Sequence, residues 1–145
     1  MTTGVQAMTD SLIDQFAIEQ LLYCYAAAAD ARDGEAYCGC FVDGQVRIRG
    51  QYEISDGHEV VRLLREYYPW TMHNVHNRLY TVEGDRASGF CYCVASHATW
   101  RDGKPYKLDL YIRYDDELQR TAHGWRFVSR HLDVLAETVV ALEPQ

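Results

Sequence analysis

The sequence predicts an α+β fold in which three helices precede a meander of four long antiparallel strands. In the first half of the chain, apolar residues recur at helical spacing up to Pro69. Beyond Pro69 the chain consists of runs rich in β-forming residues, separated by turn sequences such as Asp102-Gly103. Helices that gather on one face of an antiparallel sheet define the α+β class. If the sheet is curved around a helix, a pocket is left between them.

The predicted helices are marked by capping residues as well as by spacing. Asp56 followed by Glu59 forms a capping box, and Ser11 followed by Asp14 resembles one. Asp33 is a candidate cap for a short second helix. The predicted bounds are Ser11 to Ala29, Asp33 to Gly44 and Asp56 to Pro69.

The predicted strands alternate between apolar and polar residues. The clearest case places Leu110, Ile112 and Tyr114 on one face and Asp109 and Arg113 on the other. A short strand at Val46–Arg49 lies between the second and third helices. The four long strands are predicted at Thr71–Val82, Arg86–Trp100, Tyr106–Leu118 and Trp125–Leu135.

Length and charge limit the classes of function. The 145 residues fit one domain spanning 1–145, with terminal extensions of about 1–8 and 138–145. The sequence contains 14 Lys and Arg residues and 21 Asp and Glu residues, so the net charge is −7. Binding to nucleic acid or to an anionic membrane draws its affinity from basic residues, so we expect neither partner. We expect a cytoplasmic protein, since the sequence shows no signal peptide and no apolar run long enough to cross a bilayer.

Five cysteines are an odd number for a chain without a secretion signal, so reduced thiols are expected. The Cys38/Cys40 and Cys91/Cys93 pairs have one intervening residue rather than the two of common zinc motifs. We therefore expect no metal site at these cysteines.

Several polar residues could serve either structure or chemistry. Asp30 follows the apolar face of the first helix, where the helix dipole opposes a carboxylate. It is either a solvated residue or a partly buried carboxylate that orients a histidine. Strand alternation places His73 and Asn77 on one face and His76 on the other, which argues against a shared metal site. His97 follows a face of small residues, which leaves room for a pocket or for a large side chain from a helix.

The order of several short motifs resembles the nuclear transport factor 2-like superfamily, and within it the SnoaL-like branch that includes scytalone dehydratase. The resemblance implies a cone-shaped barrel, a curved antiparallel sheet wrapped around N-terminal helices, with one deep apolar pocket. The residues that carry it are Ala17-Ile18-x-x-Leu21-Leu22-x-x-Tyr25, Ala29-Asp30, Asp33-Gly34-Glu35, Cys40-Phe41, Thr71-Met72-His73 with Asn77, Gly124-Trp125-Arg126-Phe127 and Arg130.

The resemblance also implies a set of catalytic residues. In scytalone dehydratase and hexachlorocyclohexane dehydrochlorinase, an aspartate at the position of Asp30 pairs with a histidine at that of His73. A second active-site histidine of scytalone dehydratase falls on His97, and an arginine of the dehydrochlorinase corresponds to Arg130. Tyr25 matches a tyrosine of bile-acid dehydratases. The two tyrosines with which scytalone dehydratase holds its substrate carbonyl are replaced by Ala29 and Gly50.

The residues and the resemblance together predict a cofactor-free lyase of the dehydratase type. His73 would remove a proton α to a carbonyl from a small apolar hydroxylated substrate, and Asp30 would hold the imidazole ring. A double-bond isomerase, a polyketide cyclase or a non-catalytic ligand-binding domain are the alternatives. The residues expected to contact substrate are Arg130, Asn77, Cys93, Ala95, Leu110, Ile112 and Tyr114. A homo-oligomer, trimer or dimer, is expected by resemblance, with the strand Tyr106 to Tyr114 as a candidate interface.

Overall fold

The computed structural model describes residues 3–143 and contains three α-helices, a short 3-10 turn and five strands. The predicted class and the predicted order of elements are confirmed. In chain order the elements are α1 (Gly4–Ala31), α2 (Gly34–Gly39), the turn Val42–Gly44, β1 (Ile48–Gly50), α3 (Gly57–Tyr67), β2 (Thr71–Glu83), β3 (Arg86–Arg101), β4 (Lys104–Thr121) and β5 (Gly124–Ala141).

Helix α1 begins earlier than its apolar spacing predicts. The side chain of Thr3 accepts a hydrogen bond from the backbone N–H of Gln6 and caps the helix, so Ser11 lies inside it. Residues 4–10, which precede the predicted start, are all exposed and carry no apolar face that would reveal a helix. The expected N-terminal extension is therefore helical from Gly4 onward, although it adds nothing to the core.

The second half of α1 packs against the inner face of the sheet. Its buried residues recur three or four positions apart, which aligns them on one side of the helix. Small side chains near the end of α1 let the helix approach the sheet closely. The buried apolar residues are Ile18, Leu21, Leu22, Tyr25, Ala26, Ala28 and Ala29.

The five strands form one mixed sheet in the order β1-β5-β4-β3-β2. The four long strands pair antiparallel as predicted, whereas β1 pairs parallel to β5, with Ile48 opposite Arg130. Strands β1 and β2 are the edges, so the sheet is curved but not closed into a complete barrel. Register shifts in the pairing of β2 with β3 and of β4 with β5 mark bulges in β2 and β5, which increase local bending and twist.

Two close contacts hold the edge of the sheet and the small helices. A Cβ on Gly57, the first residue of α3, would lie 2.6 Å from Cys38 Sγ, so α3 approaches α2 closely. Gly50 has φ of 112°, and a Cβ there would lie 2.1 Å from the carbonyl oxygen of Leu132. Glycine is required at this position because β1 runs directly against β5.

The predicted strand bounds are close to those observed, except at the C-terminal end. The last strand was expected to end near Leu135, followed by an extension over residues 138–145. Strand β5 instead continues to Ala141, because residues 136–141 pair with the first part of β4. The side chains of residues 135–141 are exposed, so backbone pairing alone orders this segment.

Candidate active site

The end of α1 lies against the start of β2, and this packing brings Asp30 next to His73. Asp30 is the last residue but one of α1, and His73 is the third residue of β2. They are 43 positions apart in sequence, so the contact depends on the tertiary fold.

Both carboxylate oxygens of Asp30 are used by the start of β2. His73 Nδ1 lies 2.7 Å from Oδ1, and the backbone N–H of His73 donates to Oδ2 at 2.9 Å. The hydroxyl of Thr71 also donates to Oδ1, at 2.9 Å. This arrangement fixes the imidazole ring relative to the carboxylate.

Hydrogen bonding keeps Asp30 ionised at neutral pH. Burial by itself raises the pKa of Asp30, but hydrogen bonds from the His73 ring and backbone and from Thr71 outweigh it, so the pKa lies below its usual 3.8. Because an ionised carboxylate only accepts, Nδ1 of His73 carries the proton in this contact. In the neutral ring the other nitrogen, Nε2, holds the lone pair, and no residue within 3–143 hydrogen-bonds to it.

His73 borders a small cavity between α1 and the sheet. The volume of this cavity is about 10 Å³, roughly the space needed for one water molecule. The pocket expected to be deep is therefore narrow, because large aromatic side chains fill much of the space between α1 and the sheet. The lining residues are Leu22, Tyr25, Ala26, His73, Val75, Cys91, Cys93, Tyr114 and Arg130.

Arg130 supplies a buried positive charge at this cavity. Its Nε and Nη2 donate to the two carboxylate oxygens of Asp116 at 2.7 and 3.0 Å, and both side chains are almost completely buried. Asp116 also accepts a hydrogen bond of 2.6 Å from the hydroxyl of Tyr80. Burial disfavours the charged guanidinium, yet the nearby carboxylate outweighs it and raises the pKa of Arg130, so it stays a cation.

The Arg130 guanidinium is enclosed by aromatic rings. It lies 3.8 Å from the ring centre of Tyr114, 4.2 Å from that of Phe127 and 4.4 Å from that of Tyr25. Aromatic faces carry partial negative charge, so these contacts favour the cation away from water. Nη1 of Arg130 has no hydrogen-bond partner within residues 3–143, and Arg130 is one of the residues that line the cavity.

Tyr25 presents a buried phenol at the same cavity. Its hydroxyl lies 2.8 Å from that of Tyr37, and one of the two donates to the other. Burial raises the pKa of Tyr25, so the hydroxyl stays protonated at neutral pH and can donate a hydrogen bond.

His97 lies beside the dyad but does not border the cavity. Its ring centre is 5.9 Å from that of His73, and the Tyr68 ring packs on it at 4.8 Å. Its Nδ1 lies 3.0 Å from the carbonyl oxygen of Ala95, which only accepts, so Nδ1 carries the proton. Burial and the neighbouring His73 lower the pKa of His97, so the ring is neutral at neutral pH. The structure therefore places His97 as a packing neighbour of His73.

Asn77 was expected on the inner face with His73, and this placement is wrong. The pairing of β2 with β3 shifts between Val75 and Arg78, so His76 and Asn77 form a bulge. A bulge adds a residue to the alternation and changes the face on which later residues lie. Asn77 is consequently exposed and does not line the cavity.

Of the other residues expected to contact substrate, Cys93 and Tyr114 line the cavity. Ala95 and Ile112 are buried in the sheet, and Leu110 is half-buried beside them. These three are not among the residues that line the cavity, although Ala95 lies opposite His73 and Ile112 opposite Cys93 in the sheet.

The sequence matches the family described as the SnoaL-like domain over residues 10–131. The chain belongs to this family. No protein of curated function matches the sequence.

Solved structures with the same fold as this SnoaL-like protein include enzymes and proteins of unknown function. A protein provisionally described as a scytalone dehydratase, from Novosphingobium aromaticivorans, is 18% identical with a TM-score of 0.79, over 95% of this chain and 93% of that one. A type 3 hexachlorocyclohexane dehydrochlorinase from Novosphingobium barchaimii is 15% identical with a TM-score of 0.77, over 94% and 99%.

A third similar structure is Rv3472 from Mycobacterium tuberculosis, a protein of unknown function. It is 23% identical with a TM-score of 0.74, over 87% of this chain and 74% of that one. At such identities the likeness shows the fold of the SnoaL-like protein, and the fold does not decide the reaction.

Three residues around the SnoaL-like site were not identified from the sequence. Thr71 lies two positions before His73 and therefore shares its face of β2. Strand alternation alone would have placed it beside His73. Asp116 lies two positions after Tyr114 in the same way. Arg32 carried no comparable signal, because it follows α1 in a left-handed backbone conformation with φ of 61°.

The remaining polar and sulfur groups add no second centre to the part of the chain described. Within residues 3–143, no cluster of three or more His, Cys, Asp or Glu side chains is placed to bind a metal ion. All five cysteines are free thiols, as expected. No helix in this range is long and apolar enough to span a membrane.

Proposed function

We propose that this SnoaL-like protein is a lyase of the dehydratase type, in which the Asp30–His73 dyad removes a proton α to a carbonyl. The observation that supports it is the double contact of Asp30 with the His73 ring and backbone, which leaves Nε2 as the free base beside a buried cavity. A positioned general base contributes about 10²–10⁴-fold to the rate.

The proton and the charges balance within the site. His73 Nε2 takes the α proton, the C–H electron pair forms an enolate, and the ionised Asp30 offsets the charge of the resulting imidazolium. As the enolate collapses to a C=C bond, the β C–O bond breaks. The imidazolium returns its proton to the departing oxygen, which leaves as water, and His73 becomes neutral again.

Tyr25 and Arg130 are placed to stabilise the oxygen atoms of the substrate. The neutral phenol of Tyr25 can donate to the enolate oxygen, and Nη1 of Arg130 can donate to the departing hydroxyl. A cation in a water-poor cavity stabilises developing negative charge more strongly than it would in water. His97 is assigned no direct role, because it lies outside the cavity lining.

The substrate is a small, largely apolar molecule with a carbonyl and a β-hydroxyl. The lining is mostly aliphatic, aromatic and thiol groups, with His73, Tyr25, Tyr114 and Arg130 as its polar members. Because the cavity has a volume of only about 10 Å³, binding of a substrate requires the surrounding aromatic side chains to move apart.

The test is mass-resolved turnover of a panel of β-hydroxy ketones by wild-type protein and by His73→Ala. Loss of water that depends on His73 supports the proposal. The matched control is His76→Ala, an exposed histidine on the same strand, which should turn over substrate at the wild-type rate.

Other outcomes distinguish the alternatives. A product of unchanged mass that depends on His73 contradicts dehydration and indicates an isomerase or a cyclase with the same base. Tight binding of an unchanged ligand, unaffected by Asp30→Asn, contradicts catalysis and indicates a ligand-binding domain.

A further inference from the structure

Arg32 and Thr71 form a hydrogen-bonded chain that ends on the catalytic carboxylate. Arg32 Nη1 donates to Thr71 Oγ1 at 2.6 Å, and Thr71 Oγ1 donates to Asp30 Oδ1 at 2.9 Å. Thr71 is buried, and the guanidinium is partly buried where α1 meets β2. The proposed reaction assigns neither residue a part.

The direction of each hydrogen bond in this chain follows from the donors. A guanidinium has no acceptor, so Thr71 Oγ1 must accept from Arg32. The single hydroxyl proton of Thr71 is then directed to Asp30 Oδ1. That oxygen also accepts from His73 Nδ1, so the Thr71 hydroxyl constrains the same atom that holds the imidazole ring.

We propose that Thr71 and Arg32 are positioning residues for the dyad, with Arg32 orienting the Thr71 hydroxyl so that it fixes Asp30 as an ionised acceptor for His73. This inference rests on the proposed function, because it concerns how the same base is held. Neither residue touches the reacting atoms; both act through Asp30.

Arg32 is held firmly enough to orient a hydroxyl. Besides Thr71, its Nη1 also contacts the carbonyl oxygens of Ala29 and Asp30 at 2.9 and 3.3 Å, sharing two hydrogens among three acceptors, and its Nη2 donates to the carbonyl oxygen of Tyr68 at 3.2 Å. The carbonyls of Ala29 and Asp30 lie in the last turn of α1, where the helix dipole favours a cation, and that of Ala29 also accepts from the backbone N–H of Arg32 at 3.2 Å. Arg32 thus joins the end of α1, the residue after α3 and the first residue of β2.

A purely structural clamp between α1 and β2 is the competing interpretation. It would need contacts from Arg32 to the backbone, but it would not need the Thr71 hydroxyl to point at a carboxylate. The two interpretations differ in what happens to the ionisation of Asp30 when only the hydroxyl is removed.

The pKa of Asp30 depends on the hydrogen bond from the Thr71 hydroxyl, so a change in this pKa detects its loss. Burial raises the pKa of Asp30, and hydrogen bonds from His73 and Thr71 lower it. Removing the Thr71 hydroxyl should therefore raise the pKa. The titratable and charged groups around Asp30 are His73 on β2, Cys93 and His97 on β3, Arg32 after α1, and Arg65 and Tyr68 at the end of α3.

The experiment compares Thr71→Val, which removes the hydroxyl and keeps a side chain of similar size, with Thr71→Ser, which keeps the hydroxyl. Two measurements are made: the titration of the Asp30 carboxyl carbon by ¹³C NMR in the ligand-free protein, and the pH dependence of kcat. Thr71→Val should raise the titration midpoint of Asp30, move the acid limb of kcat to higher pH and lower kcat about tenfold. Thr71→Ser should leave the Asp30 midpoint, the acid limb and kcat at their wild-type values.

Arg32→Asn tests the first link separately. Asparagine tolerates the left-handed backbone of residue 32, so the loss of the guanidinium is not combined with new strain. It should change the Asp30 midpoint and the acid limb in the same direction as Thr71→Val. Thr81→Val, on the exposed side of β2, is the matched control and should change neither.

An unchanged Asp30 midpoint in folded Thr71→Val, or failure of Thr71→Ser to restore kcat, would overturn the positioning role and leave only a clamp. The NMR titration needs no substrate. If wild-type protein turns over no β-hydroxy ketone, the proposed reaction fails, while the Asp30 titration still accepts or rejects the hydrogen-bonded chain. If Thr71→Val does not fold, Thr71→Ser and Arg32→Asn decide the question.

Discussion

Asp30 binds His73 twice, through the imidazole Nδ1 at 2.7 Å and through the backbone N–H at 2.9 Å. The first contact selects the tautomer and the second fixes the position of the strand under the ring. A carboxylate at the end of a helix is opposed by the dipole of that helix, and three donors from β2 offset this cost. The dyad is therefore built by the junction of α1 with β2.

The first prediction concerns Asp30→Asn. The amide keeps the size of the carboxylate but loses its charge, so the imidazolium is no longer stabilised and the Nδ1–H tautomer is no longer favoured. We expect kcat to fall by about 10²–10⁴-fold. Steady-state turnover of the substrate found in the panel measures the loss, and thermal unfolding checks the fold.

Asp33→Asn is the control for this substitution. Asp33 caps α2 by accepting from the backbone N–H of Ala36, and asparagine is an equally good cap. The control should keep wild-type kcat. A folded Asp30→Asn protein with more than about a tenth of wild-type kcat would exclude the dyad as the main source of catalysis.

The second prediction compares the hydroxyl of Tyr25 with the neighbouring hydroxyl of Tyr37. Tyr25→Phe removes the hydroxyl at the cavity and keeps the ring beside Arg130, so kcat should fall by about 10²-fold if the phenol stabilises the enolate. Tyr37→Phe removes the partner hydroxyl, which does not border the cavity, and should change kcat much less. Equal kcat values for the two variants would contradict an enolate contact by Tyr25.

The sequence predicts which face of a strand a residue lies on only where side chains alternate regularly along that strand. In β4 the alternation continues unbroken through Ile112 and Tyr114, and both lie on the inner face as expected. In β2 the bulge at His76 and Asn77 reverses the expected face of Asn77. A bulge depends on how two strands pair, so the sequence of β2 alone does not contain it.

Helix spacing shows a similar limit. The predicted start of α1 at Ser11 lies three positions before its first buried residue, Asp14, whereas the helix itself begins at Gly4. Apolar spacing marks the face with which a helix packs, and a first segment that packs on nothing carries little of it. Arg32 was missed for a related reason, since its role depends on the relation between α1 and β2 rather than on either element.

The third prediction concerns the buried pair of Arg130 and Asp116. Asp116→Ala leaves the guanidinium of Arg130 buried without its counter-charge, which typically costs about 3–5 kcal/mol of stability. Asp115→Ala removes a half-exposed partner of Arg113 one position earlier and should cost about 1 kcal/mol or less. Urea unfolding at neutral pH compares the two variants. Equal losses of unfolding free energy in the two variants would contradict this prediction, because the buried carboxylate would then matter no more than the half-exposed one.

The fourth prediction uses the pH dependence of stability and concerns Asp14, a buried carboxyl within α1. Hydrogen bonds from Arg120, opposed by burial and aided by Trp125, lower the pKa of Asp14 below its usual 3.8. A carboxyl with a lowered pKa in the folded state binds protons more weakly there than in the unfolded chain. Its contribution to stability is complete above the unfolded pKa and disappears as the pH falls through the folded pKa.

Wild-type protein should therefore be more stable than Asp14→Asn at neutral pH, and the difference should shrink as the pH falls below about 4. Urea unfolding midpoints of both proteins between neutral pH and the onset of acid unfolding measure this difference. Asp10→Asn, at an exposed position one helical turn earlier, is the control and should follow the wild-type curve. A constant difference across this range would show that the charge of Asp14 is not what Arg120 and Trp125 stabilise, and that their contact acts through packing alone.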